Sequence, residues 1–285
     1  MWNYFRAIID RWKDYPIQAG VLLHNRYEIK QLVGMGSYGL AYEASDRWTG
    51  QQVLIKQHRP SKGDIGRNLL KREAELLSEL RHDAIPQLLD QFQVDRRTFI
   101  AMTYITGLNL EQVLFEQQRA FTELEALSFI QQLSDIVVDI HRQGVIHLDI
   151  RIPNVLLNDA GIHLIDFGLA RRLHPTSSEE LTSHEDLSQF DGEMGASRYE
   201  IKRRMRLPMI QSDWYAMGHF LLFLLYSGYT EAEQDAERGW KEELQLHTET
   251  ERLLDMMLQH EDLQLHFCTK DNYRVQLQRA IEVLT

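Results

Sequence analysis

The chain has 285 residues, 44% of them apolar and 26% charged, which is enough to bury a substantial core and inconsistent with a disordered protein. That length exceeds the usual single-domain size and suits one large domain or, as the working assumption, two lobes sharing a cleft. A formal net charge of -11 argues against broad binding to a phosphate backbone, so nucleic acid is not an expected partner.

The first segment carries Trp2, Phe5, Ile8, Ile9 and Trp12 at helical spacing with Arg6, Arg11 and Lys13 between them. This predicts an amphipathic helix ending near Pro16. It docks on its own domain or contacts a membrane surface or partner, and the spacing leaves these open. Met1-Trp2-Asn3-Tyr4-Phe5-Arg6 lacks the basic region, apolar core and small-residue cleavage site of a secretory signal, so none is expected. From Tyr27 the pattern turns strand-like: Tyr27 to Val33, Leu40 to Ser45, a turn at Trp48-Thr49-Gly50, and Gln52 to Gln57. Leu69, Leu70, Ala74, Leu77 and Leu80 then form a helical stripe, and Phe92 to Val94 and Thr98 to Met102 read as two more strands. Beyond Gly107 the pattern is helical, clearest over Leu110 to Gln118 and Glu123 to Gln143. The expected division is a helical extension over 1–20, a first lobe over 21–105 and a second over 106–285. The longest apolar run, Phe220 to Tyr226, is too short to cross a bilayer and predicts a buried helix. Cys268 is the only cysteine, so no intramolecular disulfide forms, and a reducing cytoplasm is the expected compartment.

Four clusters carry chemistry. Gly34-Met35-Gly36-Ser37-Tyr38-Gly39 lies between two predicted strands, where a backbone lacking Cβ atoms at Gly34, Gly36 and Gly39 can approach an anion; taken alone it is equally a structural turn. Lys56 ends an apolar strand of the same sheet, a poor place for surface decoration and a good one for a point charge on nucleotide phosphates. Glu73 or Glu75 on the next helix can orient it, with register favouring Glu73. The third cluster, Val145 to Asn154, places Asp149, Arg151 and Asn154 in a Pro-containing loop. There Asp149 can accept a hydroxyl proton, Arg151 can neutralise phosphoryl charge and Asn154 can bind a metal. The fourth ends a strand in Asp166-Phe167-Gly168, a carboxylate beside a glycine turn that suits a hard cation.

In this order the four clusters resemble the eukaryotic-type Ser/Thr protein kinase superfamily, over roughly residues 27 to 230, with affinity to small soluble bacterial members. The resemblance implies an α+β bilobal fold, with a small antiparallel sheet plus one helix and a larger, mainly helical lobe. It further implies binding of ATP with Mg²⁺ or Mn²⁺ and transfer of the γ-phosphoryl group to a Ser or Thr hydroxyl of a protein, the chain itself included. By position, Met102 occupies the gatekeeper site, Thr103 and Ile105 offer backbone groups to adenine, and Asn109 matches a ribose contact. Asn154 and Asp166 match the metal ligands, and His147 and Asp213 match structural residues. Leu148 stands where many relatives have the arginine that pairs with a phosphorylated activation segment, and Arg151 replaces the usual lysine. The polar stretch Leu169 to Arg198, with Thr176, Ser177, Ser178, Thr182, Ser183 and Ser188, matches that segment, and Glu200 is expected to pair with Arg274. Two alternatives stand beside this reading: a nucleotide-binding scaffold without catalysis, and a phosphotransferase of the same fold acting on a small molecule.

Overall fold

The alternation that begins at Tyr27 becomes a six-stranded antiparallel sheet in the computed structural model, which describes residues 14–95, 97–173, 196–229, 239–258 and 270–285. The strands are β1 (Leu22–Leu23), β2 (Tyr27–Met35), β3 (Gly39–Asp46), β4 (Gln52–His58), β5 (Leu88–Val94) and β6 (Arg97–Thr103), in the order β1-β2-β3-β4-β6-β5. Period-two burial drives the pairing: Leu40, Tyr42 and Ala44 of β3 are fully buried, while Ala41, Glu43 and Ser45 between them are not. Tyr27, Phe92 and Phe99 stack at centroid spacings of 5.2 and 5.3 Å across that core. The β3–β4 turn closes on Gly50 at φ +73°, and the buried Asp46 carboxylate ties it down through Trp48 N–H, Thr49 Oγ1 and the Arg26 guanidinium.

Helix α1 (Gly63–Glu79) follows β4. Leu69, Leu70, Leu76 and Leu77 recur on one face and are buried, each contributing about 1.5–3 kcal/mol. Their stripe also carries Glu73 into the protein. The helix ends where Leu80 turns extended at ψ 140°.

The described residues up to Thr106, joined by Phe167–Leu169, form one unit, and Gly107–Asp166 with the described residues from Ala170 to Thr285 form a second. The second unit contains β7 (Leu108–Asn109), α2 (Glu123–Arg142), β8 (Val145–Ile146), β9 (Val155–Asn158), β10 (Gly161–Leu164) and β11 (Arg171–Arg172). It continues with α3 (Ala196–Met205), α4 (Ile210–Tyr226), α5 (Trp240–Glu243), α6 (Thr248–Leu258) and α7 (Lys270–Glu282). α2 opens with a capping box, in which Thr122 Oγ1 accepts from Glu125 N–H and the Glu125 carboxylate accepts from Thr122 N–H. α4 is the buried centre, with Trp214, Met217, Phe220, Leu221 and Leu224 at most 3% exposed. Within its apolar run Phe223 is exposed, at 50%, and Leu222 and Tyr226 are half-buried. Gly218 lets α6 approach closely, since a Cβ there would sit 2.8 Å from Met257 Cβ.

Two expectations change. The helix over Leu110 to Gln118 shortens to a π-helical turn at Gln112–Glu116. The region after Gly107 includes five short strands, β7 to β11, in two sheets ordered β10-β9-β7 and β11-β8. Beyond Tyr229, α6 packs on α4, and α7 on α2 and α6. The amphipathic helix expected at the N-terminus, the hydroxyls from Thr176 to Ser188 and Cys268 lie outside the described residues. Among the described residues no helix is long and apolar enough to cross a membrane.

Candidate active site

In the first unit, β4 delivers Lys56 and α1 delivers Glu73. Lys56 pairs with Ala41 of β3 and Ile100 of β6, so both flanking strands fix its backbone. Its Nζ lies 2.7 Å from each carboxylate oxygen of Glu73. The Glu73 side chain is 2% exposed and that of Lys56 16%, so each charge is stable at this depth because the other is present. Glu75 instead faces solvent and reaches only Lys71, at 3.7 Å, which decides between the two candidate partners. Above Lys56 the glycine hairpin is closed by Gly36 N–H donating to Gly39 C=O at 2.9 Å. Gly39 is the tight position: a Cβ there would meet Gln57 C=O at 3.1 Å and Lys56 Cε at 3.4 Å. Phe167 is fully buried in contact with α1, and Gly168 C=O accepts weakly from Arg72 at 3.4 Å. Met102 is buried on β6, Thr103 is locked to Gln87 by two hydrogen bonds of 2.9 and 3.0 Å, and Ile105 is half-buried beyond the strand end.

In the second unit the loop from Ile146 to Asn154 is bolted to α4. Asp213, fully buried, accepts from His147 N–H at 2.8 Å, Leu148 N–H at 2.7 Å and His141 Nε2 at 2.8 Å. These bonds hold Leu148 at φ +61°, a left-handed conformation that costs a non-glycine residue about 1–2 kcal/mol. The His147 ring is buried too. Its Nδ1 accepts from Asp149 N–H at 3.3 Å, which leaves Nε2 to donate to Ile165 C=O at 3.2 Å. Burial pushes this imidazole below its ordinary range, and both its ring nitrogens are engaged with backbone groups.

The Asp149 carboxylate, 11% exposed, is the focus of the loop. Asn154 Nδ2 donates to Asp149 Oδ2 at 2.8 Å and to the Asp149 backbone C=O at 2.9 Å; Arg151 Nε donates to Asp149 Oδ2 at 3.2 Å. Arg206, which nothing in the sequence singles out, brings its guanidinium to 3.6 Å from Oδ1. With its amide nitrogen spent on Asp149, Asn154 has its carbonyl oxygen as the atom to offer a hard cation. Ile165 N–H donates to Asn154 C=O at 2.9 Å, tying the approach to Asp166 to the same backbone, and Asp166 itself sits at φ +65°. One carboxylate and one amide oxygen fit a magnesium ion that completes its shell with nucleotide phosphates and water. Among the described residues there is no cluster of three or more His, Cys, Asp or Glu that could hold a metal. Asn109 caps the π-helical turn, since its Oδ1 accepts from Gln112 N–H at 2.8 Å and its N–H donates to Gln112 Oε1.

The family model of the protein kinase domain matches residues 27–273. The chain belongs to the protein kinase family. It is 35% identical over 274 residues to a probable serine/threonine-protein kinase, YbdM, of Bacillus subtilis, covering 95% of this chain and 96% of that protein. It is 29% identical to serine/threonine-protein kinase B of Synechocystis over 83% of this chain, but spans only 44% of that longer protein. Among solved structures, the kinase domain of Mycobacterium tuberculosis PknI superposes with a TM-score of 0.65 at 17% identity, covering 93% of this chain and all of that one. The kinase fold is therefore shown, and the family match runs past Tyr229, where the sequence resemblance was expected to fade.

Within the kinase fold one expected ion pair is absent. Glu200 is taken by its own helix, with Arg203 and Arg204 each at 2.9 Å, and these guanidinium groups hold its carboxyl down at about 2. Arg274 pairs with Asp135 at 2.6 Å instead. Partners three and four residues away on α3 outcompete a distant one.

Proposed function

We propose that this protein kinase transfers the γ-phosphoryl group of ATP to a Ser or Thr hydroxyl of a protein, its own chain among the acceptors, with Mg²⁺ or Mn²⁺. The observation that carries the reading is the two-pronged contact of Lys56 with Glu73, the ion pair that kinase-type phosphoryl transfer requires. In this reading the first unit binds the nucleotide. The hairpin of Gly34, Gly36 and Gly39 covers the phosphates, Lys56 holds the α- and β-phosphates, and Met102, Thr103 and Ile105 line the adenine site. The second unit does the chemistry, with Asn109 toward the ribose. Asn154 and Asp166 would hold the cation, which when bound would neutralise charge on the phosphates.

Asp149 accepts the proton of the acceptor hydroxyl as its oxygen bonds to phosphorus and the bond to the departing ADP oxygen breaks. The Asn154 and Arg151 contacts hold that carboxylate in one orientation, so it is pre-aimed rather than reorganised during the reaction. Arg151, 57% exposed, can swing onto the transferring phosphoryl, where its planar fork presents two donors. The similarity to two serine/threonine kinases supports Ser and Thr as acceptors, and the lone cysteine supports a reducing cytoplasm.

Incubation with labelled ATP, Mg²⁺ and a generic protein substrate tests the reading. Wild-type protein should phosphorylate itself or the substrate, and Asp149→Asn should abolish transfer. Undiminished labelling by purified Asp149→Asn protein refutes the assignment.

A further inference from the structure

Asp14 lies ahead of the residues matched by the kinase family, which begin at Tyr27, yet it is only 7% exposed. Its carboxylate accepts from Ser61 N–H at 2.9 Å and from the Ser61 hydroxyl at 2.6 Å. Arg59 Nε stands 3.1 Å away as an ion-pair partner, off line for a hydrogen bond. A few residues on, Ile17 N–H donates to Tyr42 Oη at 3.2 Å and its side chain packs on the sheet core, so the segment is anchored at both ends.

What Asp14 grips is the connection between the two halves of the Lys56–Glu73 pair. The 3₁₀ turn Pro60–Lys62 joins β4, which carries Lys56, to α1, which carries Glu73. Arg59 N–H donates to Tyr38 C=O at 2.8 Å, which ties the same connection to the tip of the glycine hairpin. The first turn of α1 sits directly on it: a Cβ on Gly66 would lie 3.0 Å from Lys62 Cβ and 3.5 Å from Arg59 C=O. Glu73 lies about 15 Å further along the helix axis. A tilt of only a few degrees at the connection therefore moves the Glu73 carboxylate by about 1 Å, by the lever arm of that helix.

We propose that Asp14 is a positioning residue for phosphoryl transfer: by clamping Arg59 and Ser61 it sets the angle of α1 that keeps Glu73 on Lys56. The inference rests on the phosphotransfer reading above. It gives a segment outside the matched domain a part in catalysis, and it makes the catalytic pair responsive to whatever displaces that segment.

The test compares full-length wild type, Asp14→Ala, Glu73→Gln and the double variant by ATP turnover, and wild type with Asp14→Ala by hydrogen exchange across residues 61–73. Asp14→Ala should lower kcat about 10- to 100-fold, the scale of a 1 Å misplacement, and speed exchange in the first turns of α1. In the Glu73→Gln background it should cost nothing further, because the group it positions is gone. A loss that multiplies in that background marks a general structural role and overturns the proposal, as does wild-type turnover by Asp14→Ala. Should Asp14→Ala fail to fold, Ser61→Ala, which removes one of the contacts, takes its place with a smaller loss expected under the same two criteria. An inactive wild type would sink the phosphotransfer reading itself; unchanged exchange in Asp14→Ala would then still overturn the clamp.

Discussion

Replacing Asp213 with Asn probes how the loop that carries Asp149 is held. In the wild type one carboxylate oxygen accepts from His147 N–H and His141 Nε2, and the other from Leu148 N–H. An asparagine has one acceptor oxygen. Placed toward His147 and His141, it turns its NH₂ on the Leu148 N–H; flipped, it turns NH₂ on the other two donors. Either way at least one buried N–H loses its partner, at about 1–3 kcal/mol, and the remaining bonds lose their charge assistance. Together these destabilise the fold by roughly 2–4 kcal/mol, or about 5–15 °C in Tm at the roughly 2–4 °C per kcal/mol expected for this size. The functional loss should be larger than the stability loss suggests. Leu148 is held at φ +61° by this bond, and its release lets the next residue, Asp149, drift. In the proposed mechanism Asp149 accepts the proton, and a shift of about 1 Å there should cost about 100-fold in kcat. Thermal unfolding and steady-state turnover at a temperature well below Tm check both parts. A variant that keeps turnover within twofold of wild type, with Tm unmoved, would show that the loop is held by something else.

Two further outcomes follow from backbone and charge. Gly107 stands at φ +148°, and a Cβ there would lie 2.4 Å from Leu157 C=O, so Gly107→Ala strains the backbone and splits β7 from β9. The strained conformation alone costs about 1–3 kcal/mol, and an unchanged Tm in that variant would refute the reading. His58 is buried, and desolvation pushes its imidazole below the ordinary range. Below about 6.5 the unfolded chain then binds a proton that the folded chain refuses, so this contribution is complete above that pH and is lost as pH falls. Tm should drop between pH 7.5 and 5.5, with a shallower slope for His58→Gln; parallel slopes would count against it.

What the sequence displays depends on how far apart the cooperating residues lie. β3 and β4 were legible because one alternating run of buried and half-buried residues needs only its own neighbours to be recognised, and Lys56 stood out as a charge inside such a run. Glu73 was favoured over Glu75 because the buried stripe of Leu69, Leu70 and Leu77 already fixes which face of α1 turns inward. Two-residue strands such as β8 and β11 carry no period and exist only because Val145 and Ile146 meet Arg172 and Arg171 across the fold.

The same limit governs the polar contacts. The Glu200 expectation followed a family pattern across a long separation, while the helix supplied Arg203 and Arg204 within one turn, and local geometry won. Arg206 and Asp14 were invisible for the opposite reason: each is an ordinary charged residue in sequence, and each acquires its meaning from a partner brought up by folding, Asp149 in one case and Ser61 in the other. A motif therefore names the atoms that react, but the residues that hold them at their angles are distributed by the fold. In this kinase the most informative substitutions lie among those holding residues, Asp213 and Asp14, because replacing them leaves every reacting group in the chain and changes only where it points.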